Sequence, residues 1–247
     1  MLQDRPLIVG IVQARMTSSR LPGKVLKRVL DKPLLEYELE RLSRVREMDG
    51  LVVATTVNRE DDPVVALCDS LGVRSYRGSE DDVLSRYYEA AKGYGAKVVV
   101  RFTADCPLID PNFVSSLIRE FLARREELDY LGTDYSRMPR GTDAEAFSFS
   151  ALERAWREGK GPLDREHVTW YIHKNPDRFK TAFHSVGEDM SRYRLTVDTP
   201  EDFELVKALL GTLYPDRPFF TLSDAVSFLD EHPSVFMLNS DIRQKTT

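Results

Sequence analysis

The chain has 247 residues, 42% apolar and 30% charged, enough to bury a full core, and no proline-, glycine- or serine-rich tract divides it. Its formal charge of −5 works against binding a nucleic-acid duplex or an anionic membrane surface. No segment approaches the roughly 20 apolar residues of a membrane span and no basic-then-apolar leader opens the chain, so a cytoplasmic protein is expected.

The first element is "PLIVGIVQA", a nearly continuous apolar run of the kind that forms a strand covered on both faces in a parallel sheet. It leads into the turn-rich, basic "VQARMTSSRLPGKVL". "KPLLEYELERLSRV" then sets Leu35, Leu39, Leu42 and Val45 at helical spacing, and "LVVATTV" reads as a second buried strand. In "DDPVVALCDSLG", Asp62 is the expected N-cap, Pro63 the first helical residue and Gly72 the stop. "VRSYRG" is a short strand. After it, Ser79 is a candidate cap, and Glu80, Asp81 and Asp82 suit the first turn of a helix ending at Gly93 or Gly95. A strand over Lys97 to Phe102 follows, then a loop and a helix opened by Asp110 and Pro111. Such alternation implies right-handed βαβ units in a parallel sheet, with ligands beyond the carboxyl ends of the strands.

After Leu128, "LDYLGTDYSRMPRGTDAEAFSF" predicts antiparallel strands around a loop, and "PLDREHVTWYIHKNP" predicts a helix. "YRLTVDTPEDFELVKALL" returns as a strand to Val197 followed by a helix in which Thr199 caps, Pro200 takes the first position and Asp202 completes the box. The tail "DIRQKTT" reads as a frayed end. Cys68 and Cys106 have neither metal-site nor redox spacing and read as reduced thiols, Cys68 packed and Cys106 incidental.

Chemistry concentrates at the end of the first strand. Between Ile11 and Leu30 lie five cations, Arg15, Arg20, Lys24, Lys27 and Arg28, and no carboxylate. "LPGKV" is not a Walker A loop and no G-x-G-x-x-G occurs, yet Gly23 lets backbone N–H groups approach a ligand, and Arg forks with a Lys ammonium match phosphate oxygens. A triphosphate fits this pattern, with Lys27 and Arg28 left as surface charge. Phosphoryl chemistry calls for Mg²⁺ held by one or two carboxylates and phosphate oxygens. Asp105, after "VVVRFT", and Asp198, after "YRLTV", are the candidates; an Asx-turn and a helix cap are their structural alternatives. Ser79 is also a candidate base or ribose contact. His167 and His173 form no H-E-x-x-H, which argues against zinc. Tyr87, Tyr88 and Trp170 read as core or interface.

Together "VQARMTSSRLPGKVL", "RFTADCPLIDP" and "RLTVDTPEDFELV" resemble the SpsF-like branch of the cytidylyltransferases and, more distantly, the CMP-Kdo synthetases. The resemblance runs from about Leu7 to Leu210. It implies an α/β nucleotide-diphospho-sugar transferase (Rossmann-like) fold, with a mostly parallel central sheet and a small antiparallel lobe. On that pattern residues 1–247 form one domain: a nucleotide-binding half over 7–127, an acceptor and oligomerisation lobe over 128–190, and a return strand, metal ligand and C-terminal helices over 191–247. The implied reaction is attack of an acceptor oxygen on the α-phosphorus of CTP with loss of pyrophosphate, in a homodimer, for surface polysaccharide or glycoconjugate synthesis. By resemblance Ala14 and Arg15 begin the signature loop, Arg15, Arg20 and Lys24 look like the triphosphate clamp and Asp105 and Asp198 like the Mg²⁺ pair; with Gly23, Ser79 and Thr103 as further expected nucleotide contacts, Arg15, Lys24 and Asp105 form the expected catalytic set. Thr103 stands where the Kdo enzymes have a nucleotide-contacting glutamine, and Gln13 where they have proline.

Between Asp134 and His173 the correspondence with sugar-acid synthetases stops. Arg140, Asp143, Glu145, Arg165, His167 and Arg194 are the candidates for binding a small anionic acceptor, a sugar acid or a phosphorylated compound, against the alternative of ordinary salt bridges. A sugar-nucleotide glycosyltransferase of the same fold is a rival reading, but "ADCPLID" lacks the D-x-D such enzymes use. A non-catalytic nucleotide-binding protein is the other.

Overall fold

The computed structural model describes residues 5–243. Its central sheet has seven strands. In chain order they are β1 (Ile8–Gln13), β4 (Gly50–Thr56), β5 (Arg74–Gly78), β6 (Val98–Thr103), β7 (Tyr130–Thr133), β8 (Glu145–Ser148) and β9 (Thr181–His184). Across the sheet they run β5-β4-β1-β6-β8-β7-β9. The first four in that order are parallel; β8 is antiparallel to both β6 and β7, and β9 returns parallel to β7. A separate antiparallel pair, β2 (Arg28–Val29) and β3 (Lys32–Pro33), follows the basic segment. The expected α/β fold with a mostly parallel sheet is what the chain adopts.

The apolar run of β1 is continuous because both faces are covered. Ile8 and Val12 join one core cluster with Leu35 and Leu39 of α1 (Leu34–Leu42), Leu117 of α4 (Pro111–Ala123) and Leu209 of α8 (Pro200–Leu213). Val9 and Ile11 join the opposite cluster with Tyr87 of α3 (Val83–Gly93) and Leu152 of α5 (Phe149–Glu158). Alternate side chains of one strand thus feed two cores.

Helix starts follow the sequence closely in two places. Asp110 accepts the Asn112 amide at 2.8 Å, and Thr199 and Asp202 form the reciprocal box at the head of α8. Two starts differ. Helix α2 (Asp62–Ser70) begins at Asp62 itself, and the residue before it, Asp61, sends its carboxylate elsewhere. Helix α3 is capped by Asp82, which accepts the Ser85 amide at 2.8 Å, so Glu80 and Asp81 precede the helix instead of forming its first turn. Ser79 accepts the Asp82 amide, closing a turn ahead of the cap.

The chain past Leu128 is more broken than its sequence suggests. The antiparallel pair β7–β8 forms as expected, but "PLDREHVTWYIHKNP" yields two short helices, α6 (Pro162–Glu166) and α7 (Trp170–His173), interrupted at His167–Thr169. The stretch leading to Val197 does not enter the sheet. It makes one isolated bridge, Arg140 with Arg194, and the amides of Leu195 and Val197 donate to the carbonyls of Arg140 and Asp105 at 2.6 and 2.8 Å. Helices α9 (Leu222–Glu231) and α10 (Pro233–Phe236) close the described chain. Of the tail read as frayed, residues 244–247 lie outside the described residues. No helix among the described residues is long and apolar enough to cross a membrane.

Gly141 makes the close pass of the 194–197 segment possible. Its φ is 101°, and a Cβ there would lie 2.4 Å from the carbonyl carbon of Leu195 and 2.5 Å from the amide of Thr196. Gly141→Ala should therefore lower stability by more than about 1 kcal/mol, read as a drop in urea midpoint at constant m-value.

Candidate active site

The basic segment leaves β1 and folds back on itself before Gly23, where φ is 67° and the amide donates to the Met16 carbonyl at 2.9 Å. Two carboxylates fix its course. Asp61 accepts the Met16 amide at 2.7 Å through one oxygen and the Thr56 amide at 3.1 Å through the other, joining the loop to the end of β4. Glu80 accepts from Thr17 and from Asn58 Nδ2, each at 2.5 Å, and lies 3.5 Å from the Arg15 guanidinium. Neither role is visible in local sequence, because the partners are 45 and 63 positions away.

Lys24 begins a short 3₁₀ turn, Lys24–Leu26, and turns its ammonium inward. Its Nζ lies 2.9 Å from Asp105 Oδ2 and 2.9 Å from Asp198 Oδ1. Burial works against the ammonium, but the two carboxylates outweigh it and raise its pKa above the ordinary 10.5. Burial likewise opposes the charged form of Asp105; Lys24 and the Thr103 hydroxyl reverse this and hold the carboxyl below its ordinary 3.8. The other oxygen of Asp198 receives Arg20 at 2.9 Å and Arg194 at 3.2 Å. Arg194 also forks onto Asp202, which accepts from the amides of Asp198 and Thr199 and from Asn239 Nδ2 at 2.8 Å.

Behind Asp105 lies a second, drier group. Cys106, fully buried, has its sulfur 3.5 Å from Asp105 Oδ1 and 3.4 Å from Asp143 Oδ2, so the thiol read as incidental is packed against the site. Burial, then Asp143 and Asp105, push the thiol well above its ordinary pKa. Asp143 is raised by burial and by Asp105, and is bonded to the Tyr135 hydroxyl and the Gly141 amide. Glu38 of α1 is fully buried, and among the described residues neither carboxyl oxygen has a partner in good hydrogen-bond geometry, although the Cys106 backbone amide acts weakly in favour of its charged form.

Two adjoining chambers open at this end of the sheet. The smaller, about 250 Å³, is walled by Arg15, Ser18, Ser19, Arg20, Lys24, Thr103, Asp105 and Asp198. The larger, about 700 Å³, adds Ala14, Glu80, Asp81, Arg86, Arg165 and His167. Gln13, Arg15, Arg20 and Asp105 line both. A cavity of about 780 Å³ between α4, the 186–193 segment and α9 shares no lining residue with either chamber.

The candidates thus separate. Ala14, Arg15, Arg20, Lys24, Thr103, Asp105, Asp198, Arg165 and His167 reach the chambers. Ser79, Gly23, Arg140, Asp143, Glu145 and Arg194 are not among their lining residues. Glu145 pairs with Arg101 at 3.0 Å, and Arg140 lies over the Tyr135 ring. The chamber also contains a cation the sequence reading missed, Arg86, nearly fully buried on α3, its Nε without a hydrogen-bond partner among the described residues.

Against known proteins, the profile of the cytidylyltransferases matches residues 9–225. The chain belongs to the cytidylyltransferase family. It is accordingly a CTP-dependent nucleotidyltransferase. It is 41% identical to the protein MJ1063 of Methanocaldococcus jannaschii, with 97% of each chain covered. It is 32% identical to the spore coat polysaccharide biosynthesis protein SpsF of Bacillus subtilis, over 92% of this chain and 95% of that one. The solved structure of a cytidylyltransferase from Leptospira borgpetersenii superposes with a TM-score of 0.88 at 34% identity, covering 97% of this chain and 98% of that one.

For a cytidylyltransferase with this interior, Glu38 supplies a test of the dry layer. Burial, then the charge of Asp105, pushes its carboxyl well above the ordinary 4.5, so the folded chain keeps a proton that the unfolded chain releases. Stability should fall as pH rises past that ordinary value. The non-titrating Glu38→Gln should gain on the wild type by up to about 1.4 kcal/mol per pH unit above about pH 5, and the difference should flatten below about pH 4. Urea midpoints across this range check it, and parallel curves would contradict a neutral Glu38.

Proposed function

We propose that the protein transfers CMP from CTP to a small anionic acceptor, a sugar acid or a phosphorylated compound, with Mg²⁺ and release of pyrophosphate, in surface polysaccharide or glycoconjugate synthesis. The observation that carries this reading is the Lys24 ammonium held between Asp105 and Asp198 in a chamber that also contains Arg15 and Arg20. The pathway is supported by the similarity to the spore coat polysaccharide biosynthesis protein SpsF.

Asp105 and Asp198 would hold the metal. Among the described residues no cluster of three or more His, Cys, Asp or Glu side chains forms a self-sufficient metal cage. Two carboxylates that already share one cation at 2.9 Å each do suit a hard ion that completes its shell with phosphate oxygens and water. When bound, such an ion neutralises phosphate charge and polarises the phosphorus toward attack. The remaining work belongs to the chain. Arg15 and Arg20 would grip the phosphates, and Lys24 would exchange its carboxylate partners for phosphate oxygens. Ser18 and Ser19 offer hydroxyl donors at the same wall. Catalysis by such a set is positioning and charge stabilisation, and an anionic acceptor oxygen needs no general base.

Lys24→Ala and Asp105→Ala should each lower kcat on the order of 10² or more, measured by pyrophosphate release. The assay crosses the four NTPs with sugar acids, phosphosugars and small phosphorylated acids, and product mass identifies the acceptor. Release with another NTP but none with CTP would overturn the cytidylyl assignment. A second measurement tests the metal pair directly. Since Lys24 competes for both carboxylates, Lys24→Met should bind Mn²⁺ without nucleotide at least about tenfold more tightly than the wild type, read by electron paramagnetic resonance. Equal affinities would remove Asp105 and Asp198 as the ligands.

A further inference from the structure

Gln13 ends β1 at the wall shared by the two chambers. By strand alternation it faces the same side of the sheet as Val9 and Ile11, and it pairs in register with Thr103, two positions beyond Arg101. Arg101 is held from behind. Its guanidinium pairs with Glu145 at 3.0 Å, and Glu145 accepts the Thr169 hydroxyl at 3.2 Å. The other terminal nitrogen of Arg101 donates to Gln13 Oε1 at 3.3 Å.

A guanidinium has donors and no acceptor, so only the amide oxygen of Gln13 can face it. That settles an orientation which is otherwise ambiguous for a glutamine. The amide nitrogen is turned away from Arg101, and its two N–H groups have no hydrogen-bond partner among the described residues. Thr169, Glu145 and Arg101 therefore act as a chain of supports that presents a neutral donor pair at one place, the junction between the chambers.

We propose that Gln13 is a further catalytic residue, donating a hydrogen bond to a non-bridging oxygen of the α-phosphoryl group. The inference rests on the nucleotidyl-transfer reading. If the β- and γ-phosphates lie among Arg20, Lys24 and the serines of the small chamber and the nucleoside lies in the larger one, the group that crosses their shared wall is the α-phosphoryl. There the acceptor oxygen forms its bond to phosphorus, the bond from phosphorus to the bridging oxygen breaks, and the electron pair leaves with pyrophosphate. Charge builds on the non-bridging oxygens during this exchange, and a donor already oriented by Arg101 stabilises it without reorganisation. A neutral donor at this place differs from Arg15 and Arg20, which attract the whole polyanion whether or not it is reacting.

The test needs no acceptor. CTP with Mg²⁺ is bound to wild type, Gln13→Ala and Gln13→Met, and the bound nucleotide is observed by ³¹P NMR. Affinities for the two diastereomers of α-thio-CTP are measured by calorimetry. Both variants should move the α-phosphorus resonance and leave the β and γ resonances in place. They should weaken CTP binding by about threefold to tenfold and bring the two diastereomer affinities closer together. Gln13→Glu, which keeps the Arg101 contact but turns an acceptor to the phosphate, should weaken binding further than Gln13→Ala. An unchanged α resonance with an unchanged diastereomer ratio, in variants that still bind CTP, would overturn the role of Gln13 and leave the triphosphate reading standing. If the wild type binds no CTP, the reading of the chambers fails and this inference falls with it.

Discussion

The site depends on one buried ammonium. Lys24 bridges carboxylates 81 and 174 positions along the chain, and in doing so ties the loop after β1 to the loop after β6 and to the segment before α8. Its surroundings show how the desolvation cost is met. Three cations, Lys24, Arg20 and Arg194, face three carboxylates, Asp105, Asp198 and Asp202, in a continuous network. Buried ion pairs of this kind contribute little net stability compared with an apolar core, but removing one member leaves an uncompensated charge. The arrangement specifies geometry at least as much as it stabilises the fold. A polyanion entering the chamber would meet cations already gathered, with the charge needed to release them supplied by the ligand itself.

Around this network the interior is graded. Toward solvent lie Arg15, Ser18 and Ser19; behind Asp105 lie Cys106, Asp143 and Glu38, where burial favours the uncharged forms. Burial behind Asp105 keeps bulk water from that side, so its attraction to a cation in front of it is screened less than it would be in solvent. Cys106 contributes by filling this space with a thiol held well above its ordinary pKa, which adds no third charge.

What the sequence made legible was local or periodic. Strand β1 reads from its unbroken apolar run, the Asp110 and Thr199 caps from their turn chemistry, and Asp105 and Asp198 from standing after strand-like runs. Long-range partners were not legible. Asp61 looks like part of a helix start, and only the folded chain shows its carboxylate joining Met16 to Thr56. Glu80 looks like first-turn charge because the true cap, Asp82, is only two residues on. The strand expected before Asp198 is apolar enough to pair. It lies instead against Gly141 and the Asp105 loop, an outcome set by the packing of three distant segments. Cys106 carried no motif, and its place between two carboxylates is purely tertiary.

The acceptor candidates divide along the same physical line. Arg140, Asp143, Glu145 and Arg194 support other groups: an aromatic ring, the Asp105 loop, Arg101 and Asp198. Arg165 and His167 face the larger chamber from the broken helix pair α6–α7, where Arg165 is steadied by the Trp156 carbonyl at 3.0 Å and lies 3.5 Å from Asp82. A break in helical structure exposes side chains that a continuous helix would bury or turn outward. Changes in this segment could alter what enters the larger chamber without disturbing the Lys24 network across the sheet. A tightly paired network beside a looser wall lets the wall vary in sequence while the geometry around Lys24 is kept.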